Sequence, residues 1–468
     1  MLWFKGRDIS WRTIHELSDA FAVALQANGV RPGDRVAILL PNRPQFFIAQ
    51  YGAWKAGAIV TPMNPIYTEE ELIGPLVSTG ATVMITLSAF YERVKAVQSR
   101  TAVRRVILTS IKEWFPPLLR TIFTLFAEKK LGHRATARDG DLWFNALLEQ
   151  HRGARPDVPR PSLDDTALLL LSGGTTGTPK CVMAHHQALV IAGKQLSSWL
   201  GDSMPRGTGT FMLPLPMFHS YGAVGIQRVR FDSLKVCLSG AAPLMLETRR
   251  RFESISGAHI TEAWLLTEAL LAATGGPLHA PLREGSVGVP IPDVDVRIVD
   301  ADDATKPMPV GEVGEILVTG PQVMRGYWNQ PEESAEMVRT LEDGRRWVFT
   351  GDLGKMDADG FIWIVDRKKD LIKPGGMQVW PREIEETISR IPAVAEVGVR
   401  RFPDAAKGDV AVAFVVLRDG MQATAEEIRV FCKEHLAFYK VPSRVVFKRE
   451  LPKSLIGKVL RRLLTESA

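Results

Sequence analysis

The sequence predicts an α/β fold: a large N-terminal domain of layered, mostly parallel sheets with helices, followed by a small α+β C-terminal domain. Three observations carry this. Short apolar runs alternate with amphipathic helical stretches through the first third of the chain. A glycine- and hydroxyl-rich loop follows one of those runs. A second, smaller set of helix and strand periodicities begins after a charge cluster at Asp366-Arg-Lys-Lys-Asp370.

In chain order, Leu17, Phe21, Ala24 and Leu25 recur at helical spacing, so 11–29 reads as an amphipathic helix ended by Gly29. Arg35-Val-Ala-Ile-Leu-Leu reads as a buried strand, Gln45 to Ala56 as a helix, and Ala58-Ile-Val-Thr-Pro-Met as the next strand. Val106-Ile-Leu-Thr and Ala167-Leu-Leu-Leu-Leu continue the alternation, which implies a parallel sheet covered on both faces. Beyond the charge cluster, Glu383-Ile-Glu-Glu-Thr-Ile reads as a helix, 394–399 and 410–417 as strands, and 425–435 as a helix. The boundary is placed at Lys369, giving domains of 1–368 and 369–468.

A chain of 468 residues with 46% hydrophobic and 24% charged content has ample apolar material for a core. The net charge of +6 suits an anionic substrate or an anionic membrane surface. Basic residues are dispersed without an aromatic-interleaved tract, so nucleic acid is not expected as a partner. Cys181, Cys237 and Cys432 lack metal-ligand spacing and read as free thiols in a reducing compartment. Neither a secretory leader nor an apolar run long enough to span a bilayer is legible, so the cytoplasm is the expected address. The segment 114–134 is dense in aromatic and aliphatic residues, carries Pro116 and Pro117, and has basic flanks. It reads either as a membrane-surface element or as a packed surface helix. Nothing in the sequence sets an oligomeric state.

The loop Ser172-Gly-Gly-Thr-Thr-Gly-Thr-Pro-Lys180 follows an apolar strand. Gly173, Gly174 and Gly177 allow several backbone N–H groups to face one anion. Ser172, Thr175, Thr176 and Thr178 add hydroxyl donors, and Lys180 adds a positive charge. It is not a Walker A loop, because Pro179 precedes the lysine and Cys181 follows it. Read alone, it could equally be a flexible connection.

The loop resembles the signature of the adenylate-forming superfamily of acyl-CoA synthetases, luciferases and adenylation domains, and further motifs of that family follow in order. They are Pro214-Leu-Pro-Met-Phe-His-Ser-Tyr-Gly222, Leu238-Ser-Gly-Ala-Ala-Pro-Leu244, Trp264-Leu-Leu-Thr-Glu268, Val348-Phe-Thr-Gly-Asp352, Asp366-Arg-Lys-Lys-Asp370 and Pro452-Lys-Ser-Leu-Ile-Gly-Lys458. Each is weak alone; the ordered series spans nearly the whole chain. The resemblance is strongest to bacterial long-chain fatty-acid–CoA ligases, where an insert like 114–134 would bring the enzyme to a membrane surface. A small C-terminal domain that is mobile belongs to the same expectation.

That resemblance implies a two-step reaction, in which a carboxylate attacks the α-phosphate of ATP, releasing pyrophosphate, and the thiol of coenzyme A then displaces AMP. It implies that Lys458 bridges the carboxylate and the α-phosphate, that Glu268 binds Mg²⁺ with Ser172 as a second ligand, and that His219 borders the acyl tunnel. Gly240, Ala241 and Ala242 would lie along the adenine, with Trp264 offering a stacking face and Thr267 completing the motif. Asp352 and Arg367 would hold the ribose, Lys369 would be the hinge, and Gly375 and Gly376 would admit the pantetheine chain. The plain alternatives are a turn aspartate, a core tryptophan, a core histidine and solvated charges.

Two departures stand out. Family members carry several dozen residues between the His219 segment and the Ser239 loop, whereas here 225–235 connects them almost directly, and Leu265 stands where the family has glycine. Activation of a long-chain fatty acid is therefore the expectation. The alternatives are a medium-chain or aryl-acid CoA ligase, and a catalytically impaired nucleotide- or acyl-binding relative.

Overall fold

The computed structural model describes residues 1–157, 161–172, 180–201, 236–240, 249–250, 252–254, 257, 259–278, 280–281, 283–375, 377, 379–404, 408–453 and 459–466. Its first sheet has seven strands in the order Leu142–Trp143, Arg105–Thr109, Val83–Leu87, Arg35–Leu39, Ile59–Pro62, Thr166–Ser172 and Lys180–His185. All of these pair in parallel except the last two, which are antiparallel to each other. The central strands are apolar along their whole length because helices cover both faces.

Local chemistry sets the helix limits. The helix Trp11–Ala27 starts where Ser10 accepts a hydrogen bond from the Thr13 N–H, and it buries Phe21, Ala24 and Leu25 as the periodicity predicts, adds Ile14, and leaves Leu17 partly buried. The helix Glu69–Thr79 carries a capping box between Thr68 and Glu71, and it ends at Gly80 in a left-handed conformation that glycine adopts without a side-chain clash. The helix Pro44–Lys55 begins on a proline whose missing N–H would be unpaired there in any case.

Parallel pairing is concentrated in this sheet. A four-stranded sheet follows, in the order Val236–Ser239, His259–Leu265, Ala272–Gly275 and Val289–Pro290. Next comes a five-stranded sheet built on Asp295–Val299, Gly314–Thr319, Arg346–Met356, Val338–Thr340 and Ile362–Arg367, antiparallel throughout. Its alternation was not picked out by the sequence reading.

Beyond residue 370, the strands Val394–Asp404, Gly408–Leu417 and Arg444–Phe447 form a separate three-stranded sheet. The helices Pro381–Ser389 and Ala425–His435 pack on it around a core of Ile384, Ile388, Val399, Val415 and Ile428. This is the α+β pattern expected from the sequence.

The 114–134 segment is packed on one side and exposed on the other. Pro117–Ile122 is α-helical and Phe123–Ala127 continues as a π-turn. Trp114, Phe115 and Phe123 face inward, with Phe123 edge-on to Phe115 at 5.5 Å between centroids. Leu118, Leu125 and Phe126 face outward, 75%, 70% and 74% exposed. Among the described residues no helix is long and apolar enough to cross a membrane.

Candidate active site

The two described ends of the phosphate loop face each other. Ser172 closes one strand, Lys180 opens the next, and the two pair directly in the antiparallel ladder. Gly173, Gly174, Thr175, Thr176, Gly177 and Thr178 lie outside the described residues. The Lys180 ammonium sits over the Tyr327 ring, 4.9 Å from its centroid, a cation–π contact.

Glu268 is held in a short 3₁₀ turn, Thr267–Ala269, directly after the strand His259–Leu265, rather than at the end of a longer helix. Its Oε1 accepts a hydrogen bond from the Tyr327 hydroxyl at 2.9 Å, and its main-chain carbonyl accepts from the Met324 N–H at 2.8 Å. Burial, reinforced by the Glu268 charge, pushes the Tyr327 hydroxyl well above the ordinary tyrosine range, so it stays a donor. Glu268 Oε2 has no hydrogen-bond partner among the described residues. Among those residues, too, no three His, Cys, Asp or Glu side chains gather as a cage. A carboxylate oxygen without a partner among the described residues is the kind of hard oxygen ligand that Mg²⁺ accepts when phosphates and waters complete its shell. The residues fit that ion.

Asp352 lies inside the strand Arg346–Met356 and not in a turn. Gly351 before it has φ 66°, a left-handed conformation open to glycine, and the ladder with Ile362–Arg367 shifts register between Leu353 and Gly354. Asp352 pairs across that ladder with Arg367, whose Nε is 2.8 Å from Oδ1. Its Oδ2 accepts from Trp264 Nε1 at 3.1 Å. A carboxylate offers about four acceptor positions, so lone pairs remain on each oxygen for further donors. The aspartate side chain is only 5% exposed.

Trp264 is packed in the second core with Leu266, Ala273 and Ile291, so its indole serves as both core filler and hydrogen-bond donor. Leu265 packs against Gly240. A Cβ built on Gly240 would meet Leu265 Cδ1 at 2.7 Å and the Ala263 carbonyl at 2.6 Å, so only glycine is accommodated at 240. Ala241 and Ala242 lie outside the described residues.

The hinge motif is more heavily tied than its charge pattern suggested. Arg461, beside Arg462 near the end of the sequence, is mostly buried and contacts three carboxylates. It reaches Asp366 at 2.7 Å, Glu385 at 2.6 Å and Asp370 at 3.3 Å. Burial opposes its charge, but Glu385 and Asp366 outweigh that and raise its pKa further. Lys369 lies in the short turn Lys368–Asp370 beneath this web, and Gly375 has φ 55° in the loop that follows. Gly376, His219 and the catalytic candidate Lys458 lie outside the described residues.

Sequence reasoning passed over Tyr327 and Arg461. The signal for Tyr327 was its place in Arg325-Gly-Tyr-Trp, an aromatic residue after a glycine in an otherwise polar stretch.

A family profile described as AMP-binding enzyme matches residues 1–229 and 225–328, and one described as AMP-binding enzyme C-terminal domain matches 383–458. A long-chain-fatty-acid–CoA ligase of Bacillus subtilis (strain 168) is 34% identical over 516 aligned residues, covering 99% of this chain and 90% of the relative. A 4-coumarate–CoA ligase 1 of Petroselinum crispum is 29% identical, covering 98% of this chain and 88% of the relative. The crystal structure of ATP-bound MatB from Rhodopseudomonas palustris superposes with a TM-score of 0.81 at 24% identity, covering 98% of this chain and 93% of that one. With both profiles matched along its length, the chain belongs to the AMP-binding enzyme family.

Proposed function

We propose that the chain is an acid–thiol ligase that uses ATP, Mg²⁺ and coenzyme A to convert a fatty acid, long-chain by preference, into its acyl-CoA. The observation that supports this is a pair of contacts among residues to which the family motifs assign phosphate, metal and ribose: Tyr327 joins Lys180 to Glu268, and Asp352 holds Arg367 and Trp264. The long-chain preference rests on the ligase relatives and on the apolar outer face of the 114–134 segment.

In this reading Asp352 and Arg367 receive the ribose, while Gly240, Ala241, Ala242 and Trp264 with Thr267 shape the adenine side. Lys180 and the loop hydroxyls and N–H groups from Ser172 to Thr178 receive the phosphates. Glu268 and Ser172 would hold Mg²⁺, which supplies charge neutralisation to the phosphates. Lys458 stabilises the charge that builds as the carboxylate attacks the α-phosphate. His219 borders the acyl chain. The domain boundary at 368/369 is part of the proposal. Movement about Lys369 would exchange Lys458 for the Gly375–Gly376 loop, where the pantetheine arm would enter for thiolysis.

The outward Leu118, Ile122, Leu125 and Phe126, near Lys129 and Lys130, suit a membrane surface from which an insoluble acid is drawn. Covering such side chains is worth roughly 1.5–3 kcal/mol each.

A second reading is favoured by one observation. The profile match breaks into two pieces that overlap at 225–229, and the alignment to the Bacillus relative is longer than the chain itself, as expected where acyl-pocket residues are missing. A nucleotide- and acyl-binding relative without turnover would have this form. Pyrophosphate release with ATP, Mg²⁺ and a series of carboxylic acids separates the two. The ligase reading expects acyl-dependent release that rises with chain length and falls at least about a hundredfold in Lys458→Ala, the scale of losing transition-state charge stabilisation. Folded protein that is stabilised by ATP yet releases no pyrophosphate with any acid would establish the second reading.

A further inference from the structure

Residues 324–328 touch each half of the nucleotide site. The Gly326 carbonyl accepts from the Met183 N–H at 2.9 Å, and the Trp328 N–H donates to the Cys181 carbonyl at 2.8 Å, so the segment runs along the strand that Lys180 opens. The Met324 N–H donates to the Glu268 carbonyl at 2.8 Å. Arg346, on the strand that carries Asp352, donates from Nη2 to the carbonyls of Met324 at 3.1 Å and Arg325 at 2.9 Å. Tyr327 stands at the centre of this strut. It is 2% exposed, with its ring under the Lys180 ammonium and its hydroxyl on Glu268 Oε1.

We propose that Tyr327 is a positioning residue that fixes the Glu268 carboxylate relative to the Lys180 ammonium and thereby sets how well a divalent cation supports nucleotide binding. The geometry divides the labour on one side chain. Oε1 is occupied by a neutral donor that cannot compete for a cation, so the rotation of the carboxylate is fixed and Oε2 is turned to a defined direction. The aromatic face holds Lys180 at the same time. One residue thus sets the separation between a phosphate-binding cation and a metal-binding anion, which come from different sheets. This inference rests on the nucleotide site proposed above and adds the residue that couples its two charges.

Tyr327→Phe removes only the hydroxyl and keeps the ring for Lys180. ATP binding to the full-length protein, titrated calorimetrically with Mg²⁺ and again with EDTA, reads the effect without turnover. The expected result is an approximately tenfold weaker affinity at limiting Mg²⁺, the scale of one hydrogen bond to a charged group. That deficit should be recovered at high Mg²⁺, leave metal-free ATP binding unchanged, and vanish when the same substitution is made on a Glu268→Gln background. An equal loss with and without metal, a loss that persists on the Glu268→Gln background, or a variant that does not fold would make Tyr327 a packing residue and overturn the proposal. Unchanged affinity would overturn it too. Wild-type protein that binds ATP neither with Mg²⁺ nor without it would instead remove the nucleotide site, and the role of Tyr327 with it.

Discussion

Glu268 and Asp352 are the two carboxylates of one candidate site, and the protein treats them differently. Asp352 is nearly covered, with Arg367 on one oxygen and Trp264 on the other. Glu268 is held through one oxygen by Tyr327. An acceptor that must meet two hydroxyls of a rigid sugar gains from being fixed on both sides, because a preorganised group loses little freedom on binding. A metal ligand must keep one oxygen for the ion, so it is braced from the other. The ribose side is also tied to the C-terminal unit. Asp366, beside Arg367, bonds Arg461, which belongs to the chain's last described segment.

Glu113 marks a third case. It is half-buried outside the site and held by the neutral donors Thr109, Ser110 and Gln45, with no arginine or lysine among the described residues in an ion pair to it. Burial, the dominant influence, pushes its pKa above the ordinary value despite those hydrogen bonds.

The largest effect that would test this contrast is on stability. Arg461→Met leaves Asp366, Asp370 and Glu385 without their shared partner. Removing one member of such a buried network costs about 3–5 kcal/mol. Denaturant unfolding should show the loss, with the tryptophan-free core around Ile384 and Val415 melting first. A change under about 1 kcal/mol, the range of exposed ion pairs, would mean that the web is solvated.

Next in size is Trp264→Phe, which deletes one donor to Asp352. ATP affinity should fall about five- to tenfold, equivalent to roughly 1–1.4 kcal/mol, and by the same factor with Mg²⁺ as with EDTA. A shift in Mg²⁺ dependence would break the separation between the ribose and metal sides, since that signature belongs to Tyr327.

The smallest effect concerns pH. A carboxyl whose folded pKa lies above its unfolded value of 4.5 binds its proton more tightly in the native state. Its contribution to stability is full below about 4.5 and is lost as pH rises through the higher folded value. Glu113→Gln should flatten that decline, so the variant gains on the wild type between acid and neutral pH. Parallel stability curves for the two proteins would show that burial does not govern this group.

The site was partly legible in the sequence because some of its chemistry is local. Ser172 and Lys180 flank a glycine-rich loop, and Thr267-Glu268 and Gly351-Asp352 are adjacent pairs whose order along the chain carried the family resemblance. Tyr327, Trp264 as a donor and Arg461 were not legible in their roles. Their partners lie 59, 88 and 76 to 95 residues away, and nothing in a one-dimensional pattern marks a long-range hydrogen bond. Arg461 beside Arg462 looks like a solvated pair until the fold buries one of them against three acids.

The sequence by itself determined the α/β architecture, because apolar periodicity, capping residues and glycine-rich turns act over a few residues, and the ordered series of motifs determined the family. It also marked Glu268 and Asp352 as candidates. Only the tertiary structure decided how each is held: Asp352 clamped between Trp264 and Arg367, Glu268 braced by Tyr327 with an oxygen to spare, and Arg461 fastened to the hinge. The physical reason is that a buried charge is stable only with its partners in place. Those partners lie on separate strands and loops of the chain and meet only when the core packs.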